Sequence, residues 1–175
     1  IYLKREDLQI VRSYKIRGAY NLMCNLTEAE RKKGIVCASA GNHAQGVAFS
    51  CYALQIKGKI YMPTTTPLQK INRVKGLGKD KVEVVLVGDT FDEANEQAVI
   101  DGQKNDKVFV HPFNDLQIIE GQATVGIEIL NDFRGNIDYV FMPIGGGGLS
   151  AGVGSYFKMI SPSTTIIGVE PQGAA

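Results

Sequence analysis

The stretch Tyr139-Val140-Phe141-Met142-Pro143-Ile144-Gly145-Gly146-Gly147-Gly148-Leu149 runs from a short apolar segment through four glycines into a helix-spaced segment that reaches Met159. The apolar segment predicts a strand that is buried on both faces. A strand, a glycine-rich loop and a helix in this order are typical of one unit of a parallel α/β sheet. We therefore take this unit as the starting point for the fold.

The same alternation of short apolar runs and helix-spaced runs covers the rest of the chain. It predicts an α/β fold with doubly wound parallel sheets, whose ligands bind in loops at the carboxyl ends of strands. The predicted strands are Ile35–Ala38, Lys59–Met62, Val82–Val87, Val108–His111, Tyr139–Ile144 and Thr165–Glu170, and the predicted helices are Ser13–Leu26, Asn42–Gln55, Pro67–Leu77, Phe91–Lys104, Gln122–Phe133 and Leu149–Met159.

Composition narrows the class of protein. The chain has 175 residues and a net charge of +1, so it lacks the basic surface that nucleic acid or an anionic membrane would attract. No run approaches the ~20 apolar residues of a spanning helix. The three cysteines form no C-x-x-C motif and predict reduced thiols in a cytoplasmic protein. Since the chain begins directly on Ile1 and stops just after a predicted strand, we expect it to be part of a longer polypeptide.

The loop Gly145–Gly148 predicts an anion site. Four glycines allow the backbone to approach an anion closely and to aim several N–H groups at it, and a phosphate monoester fits this loop well. A different interpretation is open, because Gly146-x-Gly148-x-x-Ala151 matches the dinucleotide pattern and Glu170 ends the following strand. The loop at 145–151 with Glu170 could thus belong to an NAD-binding oxidoreductase. A non-catalytic module for a phosphorylated ligand is a third possibility.

The loop Ser39-Ala40-Gly41-Asn42-His43 follows another predicted strand. Its hydroxyl, carboxamide, imidazole and backbone N–H groups gather at a helix N-terminus, which can hold a carboxylate. The alternative is an ordinary capped turn, with Gly41 at positive φ and Asn42 as the N-cap.

Lys15 lies between an aromatic ring and a Gly-Ala pair in Ser13-Tyr14-Lys15-Ile16-Arg17-Gly18-Ala19. Such a lysine is either a solvated charge or an amine held next to a planar ring, ready to form a Schiff base. Three other features have plainer interpretations. His111 is expected to be a satisfied loop histidine, Lys4–Asp7 a solvated edge, and the acidic residues from Asp89 to Glu96 the outer face of a helix.

The three blocks 13–19, 39–46 and 145–149, in this order, resemble the signature blocks of threonine dehydratases. These are pyridoxal-phosphate enzymes of fold type II, the tryptophan-synthase-β type. The resemblance covers nearly all 175 residues, including Met62-Pro63, Gly88–Asp92 and Gly168–Pro171. It implies a small mobile lobe, 34–112, inserted in a large lobe built from 1–33 and 113–175, the latter incomplete.

The resemblance also implies a role for each block. Lys15 would carry pyridoxal 5′-phosphate as a Schiff base and act as the catalytic base at the substrate Cα, and Tyr14 would flank the cofactor ring. Asn42 would bind the ring's 3′ oxygen, and the phosphate would lie on the glycine loop. The expected cofactor-binding residues are Tyr14, Lys15, Asn42, Gly145, Gly146, Gly147, Gly148 and Leu149, and the expected substrate-binding residues are Ser39, Ala40, Gly41, Asn42 and His43.

The implied reaction is the dehydration and deamination of L-threonine, and of L-serine, to 2-oxobutanoate or pyruvate and ammonia. Serine racemases resemble the chain too, but they have a second hydroxyl at the position of Ala40, which donates a proton on the opposite face. Because a methyl group cannot donate a proton, we predict elimination over racemisation, with serine racemase or serine dehydratase as the alternatives within the family.

The resemblance implies further properties of the whole enzyme. It would be a cytoplasmic homo-oligomer, a dimer or tetramer, acting on a small amino acid and placed in isoleucine biosynthesis. Glu170 resembles one ligand of a monovalent or divalent cation site. Ala123 stands where the family usually has glycine, and a positive φ there would be unfavourable. Because the group that contacts the pyridine nitrogen would lie after Ala175, we expect the 175-residue piece alone to be inactive.

Overall fold

The computed structural model describes residues 1–173, so the last two residues of the predicted segment 113–175 lie outside the described residues. Two helices come first, and from then on strands and helices alternate along the chain. They are α1 (Lys15–Cys24), α2 (Glu28–Lys33), β1 (Ile35–Ala38), α3 (Asn42–Leu54), β2 (Gly58–Met62), α4 (Leu68–Gly78), β3 (Val82–Leu86), α5 (Phe91–Lys104), β4 (Val108–Phe109), α6 (Leu116–Asp132), β5 (Tyr139–Pro143), α7 (Gly148–Ile160) and β6 (Thr165–Val169).

The strands form two parallel sheets. The first has the order β3-β2-β1-β4, and in its register Ile35 lies beside Gly58 on one side and Val108 on the other. The second consists of β5 and β6, with Tyr139 beside Thr165. The predicted α/β class with parallel sheets is confirmed.

Helices cover both faces of the four-stranded sheet. Ile35 and Cys37 of β1 belong to a core shared with α1, α3 and α4, whereas Val36 and Ala38 pack with Ala94 and other residues of α5. All four residues of β1 are buried, as expected for a central strand of a doubly wound sheet. The two-stranded sheet has a separate core with α6 and α7, centred on Phe157.

Helix α6 connects the two cores, and it begins earlier than the predicted Gln122–Phe133. Asp115 is its N-cap and accepts hydrogen bonds from the N–H groups of Gln117 (2.8 Å) and Ile118 (3.3 Å). Ala123 therefore lies inside the helix, where a methyl side chain is favourable, and the positive φ considered for this position does not occur.

The junction between α6 and α1 requires a close approach of the two backbones. A Cβ atom on Gly121 would lie 2.6 Å from the carbonyl oxygen of Arg17. On the other side of the junction, the N–H of Gly18 donates to Oε1 of the buried Gln122 at 3.2 Å. This packing fixes the start of α1, and with it Lys15, relative to both sheets.

Candidate active site

Lys15 is the first residue of α1, and its amine points toward the loop that follows β4. Nζ donates a hydrogen bond to the carbonyl oxygen of Pro112 at 2.8 Å. It lies 5.7 Å from the centre of the Tyr14 ring and 5.9 Å from the centre of the Phe113 ring. Burial lowers the pKa of Lys15 below its ordinary value, which favours the uncharged, nucleophilic amine.

Tyr14, beside this amine, also contacts the core of the two-stranded sheet. Its ring packs against the cluster built from β5, α6 and α7. Burial raises the pKa of Tyr14, so the phenol remains protonated at neutral pH. The ring therefore supplies an uncharged aromatic group beside Lys15.

The Ser39 loop lies at the carboxyl end of β1. The Ser39 N–H donates to Tyr61 O at 3.1 Å, and Ser39 Oγ accepts from the Gly41 N–H at 3.2 Å. Gly41 is the N-cap of α3 with φ −121°, and Asn42 is the first helical residue. The alternative of a turn with Gly41 at positive φ and Asn42 as the cap is wrong in both details.

The N-terminus of α3 is open to a ligand. No side chain caps it, and a Cβ atom on Gly41 would meet nothing within 4 Å. Asn42 is exposed, and Ser39 and Ala40 are half-buried. Since the first N–H groups of a helix have no intrahelical acceptor and carry a partial positive charge, this end can hold a carboxylate.

The imidazole of His43 is directed away from that loop. His43 is buried, and its Nε2 lies 2.9 Å from Val110 O at the end of β4. Burial lowers the pKa of His43 to about 4, and nearby Lys15 and His111 act in the same direction. The ring is therefore neutral, with Nε2–H as donor, and only the backbone of His43 is available to a ligand of the loop.

The glycine loop lies at the carboxyl end of β5 and leads into α7. Gly147 is the N-cap with φ +83°, a conformation that favours glycine. A Cβ atom on Gly145 or Gly147 would meet nothing within 4 Å, so these two positions border open space. A Cβ on Gly148 would lie 2.9 Å from Phe113 O, which makes glycine necessary there for packing.

Phe113 brings the blocks together, although the sequence analysis did not single it out. A Cβ on Gly146 would lie 2.6 Å from Phe113 Cδ2, so the ring contacts the glycine loop, and the same ring lies 5.9 Å from the Lys15 amine. Helix α3 packs against the backbone of Lys15, since a Cβ on Gly46 would lie 3.1 Å from Lys15 O. The position of Phe113 just after β4, at the same sheet edge as Ser39, was the available signal.

The chain belongs to the family of pyridoxal-phosphate dependent enzymes, whose family model matches residues 1–175. It is similar to the protein named L-threonine dehydratase biosynthetic IlvA from Halalkalibacterium halodurans, with 59% identity over 174 residues. That alignment covers 99% of this chain and 42% of the relative, so the chain spans less than half the length of this curated relative.

Two solved structures share the fold. The processed form of threonine deaminase isoform 2 from Solanum lycopersicum has a TM-score of 0.94 and 53% identity, covering 99% of this chain and 50% of that one. Maize serine racemase has a TM-score of 0.91 and 34% identity, covering 97% and 50% respectively. These likenesses agree with the fold type expected from the sequence.

The family implies pyridoxal phosphate, and the residues present fit that group. Gly145 and Gly147 border open space at the N-terminus of α7, where an anion the size of a phosphate is favoured. Lys15 supplies an amine of lowered pKa that lies 5.9 Å from the centre of the Phe113 ring. The NAD interpretation fits less well, because Ala151 is exposed where a dinucleotide loop needs close helix–strand packing.

Two further predictions were a cation site at Glu170 and a solvated edge at Lys4–Asp7. The described residues contain no group of three or more His, Cys, Asp or Glu side chains that could hold a metal ion, and Glu170 is exposed after β6. The segment Lys4–Asp7 is more than a solvated edge, because Glu6 forms an ion pair with Arg17 at 2.7 Å and both side chains are largely buried. Among the described residues, no helix is long and apolar enough to cross a membrane.

Proposed function

We propose that the chain carries the cofactor and substrate loops of an ammonia-lyase that converts L-threonine, and L-serine, to 2-oxobutanoate or pyruvate and ammonia. The observation that carries the proposal is the set of contacts that links Lys15 to both loop-bearing units: its amine lies 5.9 Å from the centre of the Phe113 ring, Phe113 contacts the glycine loop, and α3 packs against the Lys15 backbone. The similarity to proteins named threonine dehydratase and threonine deaminase supports the choice of reaction.

Pyridoxal phosphate, when bound, supplies an electron sink that stabilises negative charge at the substrate Cα. The Lys15 amine would hold the cofactor and then take the proton from Cα. Its lowered pKa suits both tasks, because a protonated lysine is neither a nucleophile nor a base. Tyr14 and Phe113 would limit access of water to the amine from either side.

The remaining site residues would bind and orient. The N–H groups of Gly145–Gly148 and Leu149 would bind the phosphate, and the Asn42 side chain would bind the 3′ oxygen of the ring. Ser39 and the backbone N–H groups from Ala40 to His43 would hold the substrate carboxylate. These assignments use the open helix N-termini of α3 and α7, whose N–H groups are free for an anion.

Ala40 favours elimination over racemisation. Its half-buried methyl stands in the substrate loop, where it cannot return a proton to the opposite face of Cα. Serine racemase remains the alternative within the family, and no residue of this loop favours it.

We also propose that 34–112 forms the small mobile lobe and that 1–33 and 113–175 belong to the large lobe. The four-stranded sheet lies within the first range and the two-stranded sheet within the second, which supports the division.

The same proposal includes that the whole enzyme is a cytoplasmic dimer or tetramer and that it acts in isoleucine biosynthesis. A cation at Glu170 stays a prediction from resemblance, because Glu170 offers a single exposed carboxylate.

The test is a spectrum of the purified whole protein. With pyridoxal phosphate it should show a visible absorption band that borohydride abolishes, and Lys15→Ala should lack the band and release no 2-oxobutanoate from threonine. Lys57→Ala is the matched control, since Lys57 is exposed at the opposite edge of the sheet, just before β2. A colourless protein that takes up NADH instead of pyridoxal phosphate would refute the proposal.

A further inference from the structure

His111 lies outside the proposed site, in the loop between β4 and α6. Its Nδ1 accepts two backbone hydrogen bonds, from the N–H of Phe113 at 3.2 Å and from the N–H of Asn114 at 2.8 Å. The two bonds close a tight turn around Pro112. The His111 ring also packs edge-on against Phe113, with 4.8 Å between the ring centres.

This turn makes two contacts with the site. Its Pro112 carbonyl accepts the hydrogen bond from Lys15 Nζ at 2.8 Å. Its Phe113 ring lies next to Gly146, and the backbone of Phe113 lies next to Gly148. One histidine therefore orders the segment that touches both the amine and the glycine loop.

We propose that His111 is a positioning residue for Lys15, because its unprotonated Nδ1 fixes the turn that presents the Pro112 carbonyl to the amine. The same turn holds Phe113 against the glycine loop. The effect on cofactor uptake rests on the proposed function, whereas the effect on the Lys15 amine does not.

The chemistry of the turn requires an acceptor at this position. A protonated imidazole would direct an N–H at two N–H donors, so the neutral form is needed. Three titratable groups face His111, namely Lys15 from α1, His43 from α3 and Asp115 ahead of α6. Burial lowers the pKa of His111, Lys15 acts in the same direction, and Asp115 opposes it.

The same reasoning identifies a residue that can replace His111. An asparagine side chain commonly accepts a hydrogen bond from the backbone N–H two residues further along, which forms an Asx turn. His111→Asn should therefore retain the turn, whereas His111→Ala removes the acceptor. His111→Gln shifts the acceptor by one carbon, and it serves as the second disrupting variant if His111→Ala does not fold.

The first experiment uses the whole protein without cofactor and measures acylation of Lys15 by acetic anhydride, with exposed Lys57 as the internal reference. Loss of one hydrogen bond and of the ordered turn should raise the ratio of Lys15 to Lys57 labelling about tenfold in His111→Ala. His111→Asn should stay within about twofold of the wild type. The control Leu116→Ala changes an exposed side chain at the start of α6 and should leave the ratio unchanged.

The second experiment adds pyridoxal phosphate and follows the rate at which the visible band appears. His111→Ala should slow this rate about tenfold, since the amine is no longer held in place. His111→Asn should restore most of it. This restoration separates positioning from a general loss of stability, which thermal unfolding of each variant reports.

The outcomes are distinguishable. If the wild type takes up no pyridoxal phosphate, the proposed function fails and the labelling ratio alone decides the role of His111. Equal labelling of Lys15 in the wild type and His111→Ala overturns the inference, whatever the cofactor does. A changed ratio that His111→Asn does not restore overturns it as well, because the turn would then not depend on an acceptor at this position.

Discussion

Gly146→Ala should destabilise the fold, because Phe113 occupies the space that a side chain would need. The new Cβ would lie 2.6 Å from Phe113 Cδ2 and closer still to Cγ and Cδ1. Restoring a carbon–carbon distance of ~3.5 Å requires the ring to move by roughly 1 Å. Overpacking of this kind costs about 1–3 kcal/mol. The displaced ring would also draw the Pro112 carbonyl away from Lys15.

Two neighbouring glycines provide matched controls. A Cβ on Gly145 meets nothing within 4 Å, so Gly145→Ala should leave stability within about 0.5 kcal/mol of the wild type. Its methyl would extend into the proposed phosphate cradle and weaken binding of pyridoxal phosphate by roughly tenfold. A Cβ on Gly154, inside α7, is equally unobstructed, and Gly154→Ala should stabilise the helix by about 0.5–1 kcal/mol.

The assay is urea unfolding of the cofactor-free whole protein, together with a titration by pyridoxal phosphate. The expected order of stability is Gly154→Ala above the wild type and Gly145→Ala, with Gly146→Ala lowest. The reasoning is refuted if Gly146→Ala unfolds at the same urea concentration as the wild type. It is refuted equally if Gly145→Ala binds the cofactor as tightly as the wild type does.

Four further predictions concern individual side chains. Thr66 Oγ1 is buried without a hydrogen-bond partner among the described residues, so Thr66→Val should stabilise the protein by about 1 kcal/mol in urea unfolding, and a loss of stability would contradict this. Arg17→Met should lower the free energy of unfolding by roughly 2 kcal/mol, which is less than the loss of a fully buried ion pair because Glu128 is partly exposed. Unchanged stability would show that the ion pairs of Arg17 with Glu6 and Glu128 contribute nothing. Arg17 and Lys4 lower the pKa of Glu128 from 4.5 to about 2. The ion pairs of Glu128 therefore stabilise the fold fully above pH 4.5, and this stabilisation is lost as the pH falls through 2. Acid unfolding of Glu128→Gln should lack this loss of stability. The Ala40→Ser variant should convert L-serine to D-serine, which chiral chromatography measures. Formation of D-serine by the unchanged protein would refute the role assigned to Ala40.

Much of the fold could be predicted from strand-length apolar runs and the turns between them. The predicted and observed ends of the strands differ by at most two residues, as in Val108–Phe109, which was predicted to reach His111. Helix α2 was missed because five of its six residues are charged and it carries no apolar periodicity. Its actual signal is the capping box, in which Thr27 and Glu30 bind each other's backbone N–H groups.

The loops of the site could be located from the sequence, but their internal geometry could not. The direction of the His43 ring depends on the carbonyl of Val110, a contact across 67 positions of the chain. The burial of Glu6 likewise depends on Arg17 and on the approach of α6, whose Glu128 binds the same guanidinium at 2.6 Å. Local patterns report hydrophobicity and turn chemistry, whereas these partners become neighbours only when the tertiary structure forms.

The position of Lys15 explains why segments that follow three different strands lie near one amine. Helix α1 packs on α3 of the four-stranded sheet and on α6, which leads to the two-stranded sheet. Its first residue therefore lies where the carboxyl ends of β1, β4 and β5 converge. Each of these strand ends contributes something different: an open helix N-terminus, the Pro112 carbonyl with Phe113, and the glycine loop. The Pro112 carbonyl, in the turn closed by His111, accepts the hydrogen bond from Lys15, and this turn leads into α6, whose N-terminus is already capped by Asp115.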